Sequence, residues 1–478
     1  MSASPHALAL LLLAACNAGK VGETATSDTD PPSVTDTGDP LPTGPLVIVD
    51  EGADVHAAHG NILVVHWRQN AEADVHVEFS FEPGIWVSTP TRALGFGRHE
   101  ELLLGVPYGM GVTWRIVASN AAEAATTADL LSVTLPPPPD LPTGKLLASD
   151  PARYDPAAPW IFTSLAPPSV FGDEWWHVIV DRAGRIVWAQ RTERGRAGMH
   201  PGVARDGRSL LIDQNSFFGV FDGGAQSVIE QTLIDGTVIR TIPTPGLHHP
   251  FTELPDGTIA YGRTLGSYSD EELVRVRPDD SSDVLWRCST WLAEIGYDSF
   301  CMSNTITYHE ATDRFLFSMW TNETVIEIDG TTGASTRWFG TAPGSYAFDP
   351  PDSQFWWQHG AVITPTGTLL VSTDLTWSPY TGQGGTETIV REYAIDDAAQ
   401  TLREVWNMDV GAGIYGHQMG EARRLPNGNT WHNFGEVARL REAAPDGAIV
   451  WDAKFTGAGA IGRSMPLASL YDLSPLQP

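Results

Sequence analysis

Residues 358–370 read QHGAVITPTGTLL, in which a polar opening and a short β run are followed by a Gly turn and a second β run. The same kind of turn, again followed by a β run, recurs at Asp206-Gly207, Asp256-Gly257 and Asn427-Gly428. Such a turn between two β runs is a strong short-range signal of a β-hairpin. Recurrence of the hairpin along the chain indicates a repeat fold.

A second kind of hairpin alternates with the first and ends in Trp. It occurs at 186–188, 284–286, 337–338, 404–406 and 449–451, and the run 237–241 fills the remaining gap without a Trp. Each of the six repeats therefore holds two hairpins, or four strands, which is one blade of a β-propeller. We predict an all-β chain with a six-bladed β-propeller over residues 143–478. Its last residues should close the ring against a strand at 160–163, because closure removes free sheet edges.

The chain before residue 143 divides into three segments. Residues 46–138 contain strand-length runs of β-branched and aromatic residues, and we predict an N-terminal fibronectin type III-like β-sandwich there. Residues 16–45 are small, acidic and rich in Pro and Thr, which predicts a disordered tether. Residues 1–15 form a short apolar signal peptide that ends before Cys16, where a lipoprotein would be cut and lipidated. We expect an exported, membrane-anchored lipoprotein, periplasmic or at the cell surface; an ordinary signal peptide that contains a Cys is the alternative.

The balance of charge limits the partners of this chain. It carries 58 Asp and Glu against 29 Lys and Arg, a formal net charge of −29. Nucleic acids and anionic membrane surfaces are bound mainly by basic faces. We therefore expect no nucleic acid partner, and contact with the membrane only through the lipid anchor. Because no Cys and His spacing resembles a zinc site, we also expect no metal and no cofactor.

Two further cysteines, Cys288 and Cys301, are 13 positions apart. In an oxidising compartment they could form a disulfide that closes a short loop, for about 2–4 kcal/mol of stability. Two buried free thiols are the other interpretation of the same spacing.

Histidines occupy the same relative place in several repeats. A histidine, or in one repeat a methionine, stands just before the first hairpin of successive repeats. These residues are His200, His248-His249, Met302, His359 and His417. The first strand of each propeller blade lines the central channel. We therefore predict that these side chains surround one axial pocket, which is the candidate site for a small aromatic substrate or ligand.

Several of these stretches carry a family resemblance. Residues 248–258 (HHPFTELPDGT), 325–333 (VIEIDGTTG), 358–370 and 424–430 (RLPNGNT) resemble the bacterial arylsulfate sulfotransferases, and the likeness extends over about 145–472. The resemblance implies a six-bladed propeller preceded by a β-sandwich. It also implies transfer of a sulfuryl group from an aryl sulfate to a phenol, without a nucleotide donor, through a histidine intermediate.

The resemblance assigns roles residue by residue. His359 matches the nucleophile, and His249 with His248 matches the catalytic His-His motif. Two positions depart from the family, because Met302 stands where it has His and Trp320 stands where it has Arg. Together with His200, His248 and His417, Met302 and Trp320 are expected to bind substrate. The alternative function is a non-catalytic cell-surface propeller that binds an aromatic or anionic ligand or a protein.

Overall fold

The computed structural model describes residues 41–168, 174–220, 222–266, 270–375 and 385–476, with only the backbone described at His249. The predicted signal peptide, Cys16 and most of the predicted tether therefore lie outside the described residues. Within the described residues the chain is nearly all β, as the sequence predicts. No helix found there has both the length and the apolar character needed to cross a membrane.

Nine strands between residues 48 and 133 form two antiparallel sheets. They are β1 (Ile48–Val55), β2 (Leu63–Gln69), β3 (Ala73–Glu82), β4 (Ile85–Ser88), β5 (Arg92–Leu94), β6 (Gly97–Leu103), β7 (Gly111–Ser119), β8 (Ala124–Thr126) and β9 (Leu130–Val133). One sheet has the order β1-β2-β6 and the other β4-β3-β7-β8, with β5 on β3 and β9 on β7. Residues alternate between buried and partly exposed along β2 and β7, and Trp67, Phe79 and Trp114 pack in one core.

Twenty-six further strands follow, together with short helical segments. The strands are β10 (Thr143–Ser149), β11 (Trp160–Leu165), β12 (Trp176–Asp181), β13 (Ile186–Arg191), β14 (Gly202–Val203), β15 (Leu210–Gln214), β16 (Val228–Thr232), β17 (Val238–Pro243), β18 (Leu247–Glu253), β19 (Ile259–Thr264), β20 (Glu271–Val276), β21 (Ser282–Arg287), β22 (Ser303–His309), β23 (Arg314–Met319), β24 (Thr324–Asp329), β25 (Ser335–Gly340), β26 (Ala347–Asp349), β27 (Trp356–Ile363), β28 (Leu369–Asp374), β29 (Thr388–Asp396), β30 (Thr401–Met408), β31 (Glu421–Arg424), β32 (Thr430–Asn433), β33 (Arg439–Ala443), β34 (Ile449–Thr456) and β35 (Ile461–Leu467). The helices are α1 (Ser216–Gly219) and α2 (Cys288–Glu294), and 3-10 turns lie at Glu310–Thr312, Pro351–Ser353, Gly435–Val437 and Tyr471–Leu473.

These strands form six sheets, each built on four antiparallel strands. In five of them the four strands follow one another along the chain, and in the other the last strand, β35, joins β11, β12 and β13. The orders are β35-β11-β12-β13, β14-β15-β16-β17, β18-β19-β20-β21, β22-β23-β24-β25, β27-β28-β29-β30 with β26 added beside β30, and β31-β32-β33-β34 with β10 added beside β34. We refer to the first strand of each order as the inner strand. Inner strands contact one another, since β35 meets β14, β18 meets β22, β22 meets β27 and β27 meets β31.

Both repeated sequence patterns have a fixed place in these sheets. The Gly turns join an inner strand to the next strand, and Gly257 and Gly367 have φ of 79° and 82°, which a residue with a side chain rarely adopts. The Trp residues of the second hairpin all lie on the outermost of the four strands: Trp188, Trp286, Trp338, Trp406 and Trp451. The two patterns therefore mark the inner and outer halves of each sheet.

The ends of this region are tied together by strand pairing. β35 pairs with β11 in antiparallel register, with Trp160 opposite Leu467 and Thr163 opposite Ser464. The first strand, β10, pairs in turn with β34. A disulfide joins Cys288 at the start of α2 to Cys301, and so fixes the segment directly before Met302 and β22.

Candidate functional site

The predicted site residues lie at the beginnings of the inner strands. His200, Met302 and His417 precede β14, β22 and β31, while His248 and His359 lie inside β18 and β27. The four histidines among them are close enough for their charges to affect one another. His248 and His359 each contribute to lowering the pKa of His200, and His417 contributes to lowering the pKa of His359. The structure thus gathers residues that are far apart in the sequence. The side chain of His249, which the resemblance makes catalytic, lies outside the described part of the structure.

His359 is held by an irregular stretch of its strand. The pairing of β27 with β28 shifts register on both sides of His359, and Trp357 has a positive φ of 50°. Gly360, directly after His359, has φ of 62°, and a Cβ there would lie 2.6 Å from the Cα of Glu421. A glycine is therefore needed for β27 to approach β31 this closely. Such distortions often occur where a strand redirects a functional side chain.

The hydrogen bond of His359 fixes its tautomer. Nδ1 lies 2.8 Å from the carbonyl oxygen of Trp357, and because a carbonyl can only accept, Nδ1 carries the proton. Burial, with a smaller contribution from the neighbouring His417, lowers the pKa of His359 to about 4, against the raising effect of the hydrogen bond to Trp357. At neutral pH the imidazole is therefore uncharged, with the lone pair on Nε2. This is the form in which a histidine acts as a nucleophile.

His248 and His200 are buried in different settings. Nε2 of His248 donates to the carbonyl oxygen of Ser303 at 2.9 Å, and its Nδ1 lies 3.6 Å from Glu271. This histidine therefore joins β18 to β22. Burial lowers the pKa of His200 well below its usual value, and the charge of Arg463 contributes to that shift. A neutral His200 next to a buried guanidinium can hydrogen-bond a ligand without adding charge.

Aromatic and apolar side chains occupy the place where the resemblance implies charged groups. The backbone N–H of Trp320 donates to the carbonyl oxygen of Met302 at 3.1 Å, and both side chains pack in one apolar cluster with Phe217. The ring of Trp320 lies 5.1 Å from that of Trp357, which lies 4.2 Å from His417. This wall suits the flat ring of an aromatic ligand.

The carboxyl group of Asp374 lies close to His417, and that of Glu323 lies near Asp374. Nδ1 of His417 lies 3.5 Å from an oxygen of Asp374 and 3.1 Å from the hydroxyl of Tyr415. Nearby, burial and the charge of Asp374 raise the pKa of Glu323 to about 8. Glu323 is 3% exposed, and neither of its oxygens has a hydrogen-bond partner among the described residues. Glu323 is therefore protonated at neutral pH.

Three residues near the inner strands were not found by sequence reasoning. Trp357 connects Trp320 to His417, and Glu323 is buried beside Asp374. Arg463 lies in β35, and its positive charge contributes to lowering the pKa of His200. The repeat extends to β35, so its spacing could have identified Arg463 as a residue of an inner strand. Within the described ranges, no group of three or more His, Cys, Asp or Glu is arranged to hold a metal ion.

Comparisons with known proteins give one family match. Residues 302–454, about a third of the chain, match the model of the arylsulfotransferase (ASST) family, and this segment contains Met302, Trp320, His359 and His417. No curated protein matches the chain in sequence. Similar solved structures include a protein of unknown function from Bacteroides caccae (14% identity, 65% of this chain and 100% of that one, TM-score 0.44). Others are hydrazine synthase from Kuenenia stuttgartiensis (14%, 59% and 78%, 0.39) and virginiamycin B lyase from Staphylococcus aureus (12%, 65% and 88%, 0.37).

Proposed function

We propose that this chain is an exported aryl-sulfate sulfotransferase that carries the sulfuryl group on His359. The observation that carries the proposal is the state of His359: a proton fixed on Nδ1 by the Trp357 carbonyl, a lowered pKa and an available lone pair on Nε2. The match of residues 302–454 to the arylsulfotransferase family supports the same reaction class. The proposal includes a six-bladed β-propeller over 143–478 and a fibronectin type III-like sandwich over 46–138. The six four-stranded sheets and the contacts between their inner strands support this architecture.

The reaction takes place in two balanced steps. In the first, Nε2 of His359 forms a bond to sulfur while the bond from sulfur to the aryl oxygen breaks, and its electron pair leaves with the phenolate. In the second, an acceptor phenol loses its proton and its oxygen bonds to the same sulfur while the bond from sulfur to Nε2 breaks; the electron pair of that bond returns to Nε2, and His359 is neutral again. The Trp357 carbonyl stabilises the positive imidazole of the intermediate through the Nδ1 hydrogen bond.

His417 is the residue we assign to proton transfer. It lies against Trp357, and its hydrogen-bonding contacts with Asp374 and Tyr415 hold its ring. His417 would give a proton to the departing phenolate and take one from the acceptor phenol, which keeps the proton balance over a full cycle. The Trp320 and Trp357 rings would hold the aromatic ring of the donor or the acceptor.

A second candidate function has its own supporting observation. Met302 and Trp320 pack with Phe217 and Met419 in an apolar cluster, where a charged sulfuryl group would find few partners. That cluster favours a binding protein for an aromatic ligand that has lost turnover. Incubation with an aryl sulfate and a phenol separates the two functions. Phenol release that depends on the acceptor supports the enzyme, whereas saturable ligand binding without release, lost on Trp320→Ala, supports the binding protein.

The pH dependence of the first step follows from the buried imidazole. Only neutral His359 attacks sulfur, and because its pKa is lowered from 6.5 to about 4, it stays neutral well below neutral pH. With a donor whose phenolate leaves without a proton from His417, we expect the rate constant of the phenol burst to be constant from about pH 8 to about pH 5, and to fall about tenfold per pH unit below about pH 4.

Protonation also affects folding, and the sign is opposite to that of a salt-bridged histidine. The unfolded chain binds this proton more readily than the folded chain, so stability is lost as pH falls from 6.5 towards about 4. Burst rates should therefore be measured by brief acid exposure, with recovery of activity at neutral pH as the control. An inflection near pH 6.5 would contradict the buried state of His359.

We also propose that the chain is a lipoprotein anchored through Cys16, either in the periplasm or at the cell surface. The short apolar run that ends in Leu-Ala-Ala before Cys16 supports this proposal. Cys16→Ser should move the protein from the membrane fraction to the soluble fraction. The matched variant Lys20→Ala, which keeps the thiol, should stay with the membranes. A soluble wild-type protein whose mature N-terminus lies elsewhere would contradict the anchor.

A further inference from the structure

A cavity of about 300 Å³ lies between the inner strands, towards the ends that are opposite to the candidate site. Residues that follow His200, His248, Met302 and His359 along their strands line it, and those four strands are β14, β18, β22 and β27. His200 also lines the cavity, but Met302, Trp320, Trp357, His359 and His417 do not. The cavity is therefore distinct from the aromatic wall and from the His359 nucleophile.

Four arginines line the cavity although the chain as a whole is acidic. Arg205, Arg423, Arg424 and Arg463 line it, with Glu253 as the one carboxylate in the lining. Arg205 is paired with Glu310, and Arg424 is paired with Glu392 and stacked 4.1 Å from the Trp406 ring centroid. Two of the four guanidinium groups are thus neutralised by partners of their own.

The other two guanidinium groups share one carboxylate. Glu421 lies 3.5 Å from Nε of Arg463 and 3.7 Å from Nη2 of Arg423, and it also accepts a hydrogen bond from the hydroxyl of Ser464 at 2.7 Å. One negative charge therefore faces two positive charges. Within the described part of the chain, the Nε–H group of Arg423 has no hydrogen-bond acceptor, whereas that of Arg463 is directed at Glu421. A buried positive charge with unused donors is stabilised by an anion.

Arg463 reaches from one sheet towards another. It belongs to β35, and its Nη1 donates to the carbonyl oxygen of Phe251 in β18 at 3.3 Å. Burial and the charge of Arg423 lower the pKa of Arg463 to about 10, so it remains charged at neutral pH. The guanidinium group thus stands between the inner strands with its charge directed at the cavity, beside neutral His200.

We propose that this cavity is a second binding site, for a small aromatic sulfate or sulfonate whose oxygens bind Arg463 and Arg423. A guanidinium group offers paired donors that match two oxygens of such a group. Phe251, Ile363 and Met465 supply apolar lining for the body of the ligand. A volume of about 300 Å³ is larger than an inorganic sulfate needs and falls at the small end of ordinary ligand pockets.

Equilibrium binding of naphthalene-2-sulfonate tests the proposal without any turnover, because its carbon–sulfur bond cannot donate a sulfuryl group. Binding to the full chain is measured by calorimetry at constant ionic strength, with neutral 2-naphthol as the uncharged comparison. We expect saturable binding of the sulfonate that is at least about tenfold tighter than that of 2-naphthol. Equal affinity for both compounds, or no saturable binding of the sulfonate, would overturn the proposal.

Variants identify the groups that bind the sulfonate. Arg463→Met and Arg423→Met should each weaken binding about tenfold or more, and Arg463→Lys should lose less because it keeps the charge. Arg424→Met is the matched control, since Glu392 already neutralises that arginine, and its effect should stay below about threefold. Equal losses in Arg424→Met and Arg463→Met would overturn the assignment. If Arg463→Met does not fold, Arg423→Met and Arg463→Lys give the same test.

The two sites can be told apart in the same experiment. Because the sulfonate is also a donor analogue that can occupy the aromatic wall, the binding event to follow is the one that Arg463→Met removes; in Trp320→Ala that event should keep its affinity within about threefold, since Trp320 does not line this cavity. Loss of binding in Trp320→Ala with retention in Arg463→Met would place the ligand at the aromatic wall and overturn the proposal. Absence of aryl sulfate turnover in the wild type would count against the proposed function and leave this binding result unaffected.

Discussion

His359→Ala removes turnover of aryl sulfates, by about three orders of magnitude or more, while the protein stays folded. The expected loss is large because, in the proposed mechanism, His359 supplies the atom that bonds to sulfur. Its Nδ1 proton is held by the Trp357 carbonyl and its pKa is lowered to about 4, so the lone pair of Nε2 is ready at neutral pH. Initial rates of phenol release with a phenolic acceptor measure the effect.

A size-matched variant and a distant one complete this experiment. His359→Gln preserves most of the side-chain volume and should lose activity to the same extent, which separates chemistry from packing. His99→Ala, in β6 of the N-terminal sheets, should keep wild-type rates. Thermal unfolding of each variant reports folding. Residual turnover within about tenfold of the wild type in folded His359→Gln would show that another group attacks sulfur.

Met302→His combined with Trp320→Arg raises kcat/KM for aryl sulfates by about 10- to 100-fold. The arylsulfotransferase resemblance has His and Arg at these positions, and one preorganised donor to developing charge is worth about 10²–10³ in rate. The site can accept the new charge, because the Trp357 ring lies 5.1 Å from Trp320 and buried Glu323 closes the same turn. A guanidinium group can stack on such a ring and pair with such a carboxyl group.

The controls for the double variant separate charge from shape. Met302→Leu with Trp320→Phe keeps the wall apolar and should not raise the rate. The two single variants should each give less than the pair, since both groups would act on the same sulfuryl oxygens. A folded double variant whose rate does not exceed that of the wild type would indicate a pocket that no longer supports sulfuryl transfer, and would favour the ligand-binding function.

The sheets could be predicted from sequence because their signals are local. Turns such as Asp256-Gly257 lie between an inner strand and its neighbour, and residues such as Trp286 lie on the outermost strand, as the alternation of two hairpins implies. The spacing of His200, His359 and His417 also predicts that they surround one pocket, and this stays a prediction. Hairpin turns and strand alternation depend on a few adjacent residues, so a single sequence is enough to identify them.

The chemistry of the site depends on contacts between distant parts of the chain. Burial and the charges of Arg423 and Glu421 shift the pKa of Arg463, and a hydrogen bond to Phe251 orients its guanidinium group; none of these three residues is near it in sequence. In the sequence, Glu323 has no feature that distinguishes it from an ordinary turn residue. In the structure, its carboxyl group is buried near Asp374. His248 looked like part of a reactive pair, yet its Nε2 donates to the Ser303 carbonyl of the next sheet. Such properties appear only when the sheets are assembled.

The central claim is that His359 carries the sulfuryl group, and the mass of the protein after exposure to donor alone tests it most directly. The wild type is mixed with an aryl sulfate in the absence of acceptor, quenched at neutral or alkaline pH and analysed as intact protein and as peptides. We predict one added sulfuryl group per chain on the peptide that contains His359, removed by a phenol and absent in His359→Gln. Turnover without any adduct, or an adduct on another residue such as His417, would contradict the claim.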